Sequence, residues 1–158
     1  MSRIAGLSAA VFVFLVATIW FAFPTDAFDK SKKKAIETVD APKAIGPYSQ
    51  AIVAGDLIFV SGQIGLDPKT GTIVEGGVEA ETEQVLKNLE AVLKASNSDF
   101  DSVVKSTIFL ADISDFAKVN EIYARKFKAP FPARATVQAA KLPRDAKIEI
   151  ELTALVKK

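Results

Sequence analysis

The chain has 158 residues, a formal net charge of +1, and neither histidine nor cysteine. Those two absences remove serine–histidine and cysteine–histidine nucleophile pairs, zinc centres built from imidazole or thiolate, and disulfides. A charge so near zero argues against a nucleic-acid protein, which usually carries a basic face, and the length suits one domain.

In chain order, Ile4 to Phe23 comes first, an uncharged and mostly apolar run of twenty residues between Arg3 and Pro24. Residues 1–27 read either as a signal peptide or as an N-terminal membrane anchor. Thr25 and Ala27 supply small residues for a cut after Ala27. Twenty apolar residues also suffice to span a bilayer. In the anchored reading, Lys30, Lys32, Lys33 and Lys34 outnumber Arg3, which keeps the C-terminal domain on the cytosolic face. The protein is then expected at a membrane or in the secretory pathway, with an organelle (mitochondrion or plastid) as the alternative. Residues 28–40 are polar and charged and read as a linker. Residues 41–158 form the folded domain, enough to bury a sound core.

Within that domain Ala51–Ala54 and Leu57–Val60 flank Gly55-Asp56, a hairpin signal. Asp67-Pro68-Lys69-Thr70-Gly71 is a turn. Glu79–Ala95 reads as a helix with Val85, Leu86, Leu89, Val92 and Leu93 on one stripe, stopping near Asn97. Val103–Leu110 is a strand rich in β-branched residues. Asp112 or Ser114 caps a second helix through Phe127, with Phe116, Val119, Tyr123 and Phe127 facing inward. Thr136–Ala140 and Lys147–Val156 are the closing strands. In the last, Ile148, Ile150 and Leu152 share one face and Glu149 and Glu151 the other.

Two helices cover one face of such a sheet. Yet Leu57–Val60 and Ile108–Leu110 are apolar on both faces, as strands covered on both sides are. Another copy of the chain is the expected cover, in a closed homo-oligomer. Phe131-Pro132-Ala133-Arg134 places an arginine just after a proline-bounded turn, and Glu149 follows fifteen residues later. An arginine fork grips a carboxylate with two parallel hydrogen bonds, and a strand-borne glutamate can hold and activate a water. The pair suggests a small site for a carboxylate-bearing molecule that reacts with water.

Ala44-Ile45-Gly46-Pro47-Tyr48-Ser49-Gln50-Ala51, Ser61-Gly62-Gln63-Ile64, Val119-Asn120-Glu121-Ile122-Tyr123, Phe131–Arg134, Leu142-Pro143 and Lys147–Glu151 occur in this order. Together they resemble the motif set of the RidA (YjgF-type) family of enamine/imine deaminases, over about Val39 to Val156. The resemblance implies an α+β, chorismate-mutase-like fold, with a mixed sheet and two helices on one face. It implies a homotrimer with a central sheet barrel and sites between subunits. The implied reaction is hydrolysis of 2-iminopropanoate and 2-iminobutanoate to 2-oxo acids and ammonia, without a cofactor or metal. Arg134 matches the carboxylate-binding arginine and Glu149 the water-activating glutamate. Tyr48, Ser61, Gly62 and Asn120 match pocket positions. Thr136 stands where some members have cysteine and is expected to contribute backbone hydrogen bonds. Glu151 is expected to be structural. The competing reading is a small-carboxylate-binding or regulatory trimer (chaperone-like or translation-inhibiting) without turnover. Nucleic-acid cleavage, claimed for some relatives, fits poorly with the charge and the missing histidine.

Overall fold

The computed structural model describes residues 33–158. Its strands are β1 (Lys33–Ile36), β2 (Ala51–Ala54), β3 (Leu57–Ile64), β4 (Val103–Leu110), β5 (Ala133–Gln138) and β6 (Ile148–Leu155). Its helices are α1 (Gly77–Ala95) and α2 (Phe116–Lys126). The strands form one sheet in the order β1-β2-β3-β6-β4-β5. β4 and β5 pair in parallel and every other neighbouring pair is antiparallel. A parallel pair needs a crossover, and α2 supplies it. The fold is the expected α+β arrangement.

Period-two alternation sorts the two faces of the sheet. Ile58 and Val60 of β3, Ile108 and Leu110 of β4, and Ile148, Ile150, Leu152 and Ala154 of β6 are buried. They meet the stripe of α1, where Val85, Leu86, Leu89, Val92 and Leu93 have no exposed surface. α1 packs on β3 and β6, and α2 packs on α1, so both helices lie on one face. The other face keeps Phe59 48%, Val137 46% and Leu155 44% exposed, in keeping with the expectation that it needs a cover.

Turn and cap chemistry follows the sequence. Gly55 has φ 62° in the β2–β3 hairpin, and the Gly71 N–H donates to the Asp67 carbonyl at 2.8 Å. Asn97 has φ 57° just past α1. The Asp112 carboxylate accepts the Ser114 N–H at 2.9 Å, which starts the short turn leading into α2.

Several boundaries differ from expectation. Lys33–Ile36, read as part of a linker, is an edge strand with only Ile36 buried. An edge strand needs a single inward residue, and its lysines discourage further pairing; that is why its composition resembled a linker. β3 runs past Val60 to Ile64, with a register shift between Val60 and Gln63. Ser61-Gly62 is therefore a bulge inside the strand. β5 lies at Ala133–Gln138 rather than Thr136–Ala140, because it starts directly after Pro132, where pairing with β4 begins. Phe116, expected to face inward, is 41% exposed. Among the described residues no helix is long and apolar enough to cross a membrane. The signal-or-anchor reading of residues 1–27 lies outside the described residues.

Candidate active site

The sheet register decides where the chemistry sits. Glu149 pairs with Ile64 of β3 on one side and Phe109 of β4 on the other. It points to the open face of the sheet, opposite Ile148 and Ile150. Arg134 pairs with Ser106, whose side chain is buried under α2 against Tyr123. Arg134 therefore lies on the helix-covered face, at the β5 edge. The two groups occupy opposite faces and separate cavities of one chain.

The first cavity has a volume of about 470 Å³ and holds Tyr48, Ser61, Gly62, Glu149 and Glu151. The bulge at Ser61-Gly62 makes room for the Glu149 carboxylate. A methyl group on Gly62 would collide with Glu149 Oε1 and sit 2.8 Å from its Cδ. Gln63 is buried and its amide donates to the carbonyls of Ser61 at 3.2 Å and Gly62 at 3.3 Å, fixing the bulge. The Ser61 hydroxyl donates to the Ser49 carbonyl at 2.6 Å, leaving its lone pairs to accept from a guest. The Tyr48 hydroxyl accepts the Ile45 N–H at 3.3 Å and keeps its own proton to donate.

Burial pushes the Glu149 carboxyl above the ordinary glutamate value of 4.5, and the negative charge of Glu151 adds to the rise. Both effects penalise the ionised form. The sequence reading expected Glu151 to be structural; instead it lines the same cavity, and its charge contributes to the rise at Glu149. No hydrogen bond from the described residues reaches the Glu149 carboxylate, which leaves its lone pairs available for a water.

Sequence reasoning missed three supports of this cavity. Gln50 is buried and laces the chain before β2 together. Its amide donates to the carbonyls of Thr38 (3.0 Å), Ala41 (3.2 Å) and Pro42 (2.8 Å), which places Pro42 and Lys43 on the cavity wall. Glu81 on α1 accepts the Lys147 N–H at 2.8 Å, two residues before Glu149. Burial raises its pKa even though that bond opposes the rise. Arg144 reaches the rim with φ 56°, and its guanidinium donates to the Gly71 carbonyl at 2.8 Å. A glutamine inside the tyrosine motif was the one available signal; the Glu81 contact spans 66 positions and leaves no local trace.

The second cavity has a volume of about 420 Å³ and is lined by Asn120, Tyr123, Phe131, Pro132 and Arg134. Asn120 is exposed, a surface amide on the wall of this cavity. Thr136 follows Arg134 on the same side of β5; its Oγ1 is buried and finds no hydrogen-bond partner. The structure thus gathers Tyr48, Ser61, Gly62 and Glu149 around one cavity. It gathers Asn120 and Arg134, with Thr136 beside them, at the other.

The family model described as Endoribonuclease L-PSP matches residues 38–156. The chain belongs to this RidA (YjgF-type) family. It is 59% identical over 123 residues to Reactive Intermediate Deaminase A, chloroplastic, of Arabidopsis thaliana, covering 78% of this chain and 66% of that protein. It is 54% identical over 123 residues to the human 2-iminobutanoate/2-iminopropanoate deaminase, covering 78% of this chain and 90% of that one. Among solved structures, a conserved Rid-family protein of unknown function from Yersinia pestis superposes with a TM-score of 0.77 at 50% identity, over 78% of this chain and 99% of that one. The RidA match begins at Thr38, so β1 extends the described fold five residues before it.

Proposed function

We propose that the protein is a hydrolytic deaminase of 2-imino acids such as 2-iminobutanoate and 2-iminopropanoate. The observation that carries this reading is the division of the site. A guanidinium with no ion-pair partner among the described residues sits in one cavity, a carboxyl with a raised pKa sits in another, and the two lie on opposite faces of one sheet. Each half is useful only beside the other half of a second copy. A homotrimer, with the open sheet faces packed into a central barrel, joins them and covers Phe59, Val137 and Leu155.

In the joined site Arg134 grips the substrate carboxylate with two hydrogen bonds, which fixes the neighbouring imine carbon. Glu149 orients a water and takes one proton as the oxygen adds to that carbon and the carbon–nitrogen π bond opens. The proton passes to the nitrogen. Glu149 then takes the hydroxyl proton of the resulting carbinolamine and delivers it to the amine nitrogen, the carbon–nitrogen bond breaks as the carbonyl forms, and ammonia leaves a 2-oxo acid. Tyr48 donates to the substrate or water, Ser61 accepts, and Asn120 borders the carboxylate side. No cofactor is required for this sequence of steps.

The test is a coupled assay in which a threonine dehydratase generates the imine and release of 2-oxobutanoate is followed. Arg134→Ala is expected to abolish the acceleration; unchanged release would sink the proposal. The family description names a ribonuclease, but a net charge of +1 and the absence of histidine give little support to phosphodiester chemistry. The apolar run Ile4–Phe23 supports delivery to a membrane or secretory route, which N-terminal sequencing of the mature protein tests.

A further inference from the structure

Arg134 forms no ion pair among the described residues. What surrounds it instead is aromatic. Its guanidinium carbon lies 4.9 Å from the centroid of the Tyr123 ring and 5.6 Å from that of Phe116. Tyr123 is itself immobilised. Phe127 stacks on its ring at 4.0 Å with an interplanar angle of 15°, which leaves the opposite ring face for the cation. Its hydroxyl shares a buried 2.8 Å hydrogen bond with Ser106, the residue of β4 paired in register with Arg134. Phe127 is held in turn by the edge of Phe100, at 5.0 Å and 73°. Phe116 spends a large apolar side chain at an exposed helix start, which the core does not explain.

We propose that Tyr123 and Phe116 are positioning residues for carboxylate recognition, their ring faces holding the Arg134 guanidinium where an acidic side chain would otherwise do so. The physical difference is decisive for a binding arginine. An acidic partner would occupy the fork and cancel its charge before the substrate arrived. Ring faces attract the cation through their quadrupole and orient its plane, yet accept none of its five N–H donors in the fork direction. The charge and both parallel donors stay available for an incoming carboxylate. The proposal rests on the carboxylate-binding role given above to Arg134.

The experiment compares binding of 2-oxobutanoate with binding of uncharged 2-oxobutanamide in the assembled protein. The variants are Arg134→Ala, Phe116→Leu, Tyr123→Leu and Tyr123→Phe. Phe116→Leu and Tyr123→Leu are each expected to weaken 2-oxobutanoate by about threefold to tenfold, with the amide much less affected. Tyr123→Phe, which keeps the ring, is expected to restore most of the preference lost in Tyr123→Leu. With imine substrate the loss is expected in KM more than in kcat. Phe116 is exposed, so its variant folds even if the buried Tyr123→Leu does not. If Arg134→Ala loses carboxylate preference while both leucine variants keep it, the ring clamp is wrong and the site reading survives. If Arg134→Ala keeps the preference, the site reading fails and the clamp with it. Equal weakening of acid and amide, or a lowered Tm with unchanged preference, would reduce the rings to a structural role and overturn the proposal.

Discussion

At Gly62 an added methyl group would displace the Glu149 side chain, whose carboxylate lies against that α-carbon. No positive φ is demanded there, so alanine suits the backbone and offends only the carboxylate. Gly62→Ala is therefore expected to cut kcat by roughly a hundredfold or more, the scale of positioned acid–base help, with little change in Tm. The raised pKa of Glu149 carries a second expectation. A general base works ionised, so activity should fall as pH drops through a value above the ordinary 4.5. Glu151→Gln removes the neighbouring charge that contributes to the rise. It should move the acid limb of the pH–rate profile to lower pH, and a limb that stays in place would count against the coupling. At this scale the sequence singled out the two groups proposed to act on the substrate, since an arginine after a proline turn and a glutamate in an alternating strand are local patterns. It did not reveal that Gly62 receives Glu149, which depends on the β3–β6 register, and although alternation put Glu151 on the same face as Glu149 it did not show the burial that raises the Glu149 pKa.

Among the elements, α1 was the most legible and also shows how a helix end supports the site's scaffold. Its stripe of leucines and valines fixed both its type and its buried face. Asn97 ends it in the left-handed region with φ 57°, and its side chain donates to the Lys157 carbonyl at 2.8 Å, tying the helix end to the chain beyond β6. Asparagine tolerates that conformation better than residues lacking its short polar side chain. Asn97→Ala should lower stability by about 1 kcal/mol, read as a lower urea midpoint with unchanged m. Deamination kinetics should hold at temperatures where the variant is folded. β1 was the least legible element, because three of its four residues face solvent and only pairing with β2 defines it. The bulge in β3 was hidden for a related reason. Ser61-Gly62 has the composition of a loop, and only the strand that resumes at Gln63 shows otherwise.

For the whole molecule, the helices cover one face of the sheet, and the other leaves Phe59, Val137 and Leu155 exposed. The strands' two-sided apolar character led to the expectation of a cover there. What sequence could not announce is that Arg134 and Glu149 are assigned to opposite faces, since parity along two strands fixes no common reference until their pairing is known. Joining the two halves through neighbouring copies is the central claim. It is tested most directly by co-refolding Arg134→Ala with Glu149→Gln, each inactive alone, and assaying 2-iminobutanoate hydrolysis after native mass spectrometry confirms mixed assemblies. In an equal random mixture roughly one site in four receives both intact groups from different subunits, so recovery of about a quarter of wild-type activity is expected. Mixed assemblies that form fully and remain inactive would contradict a site shared between copies.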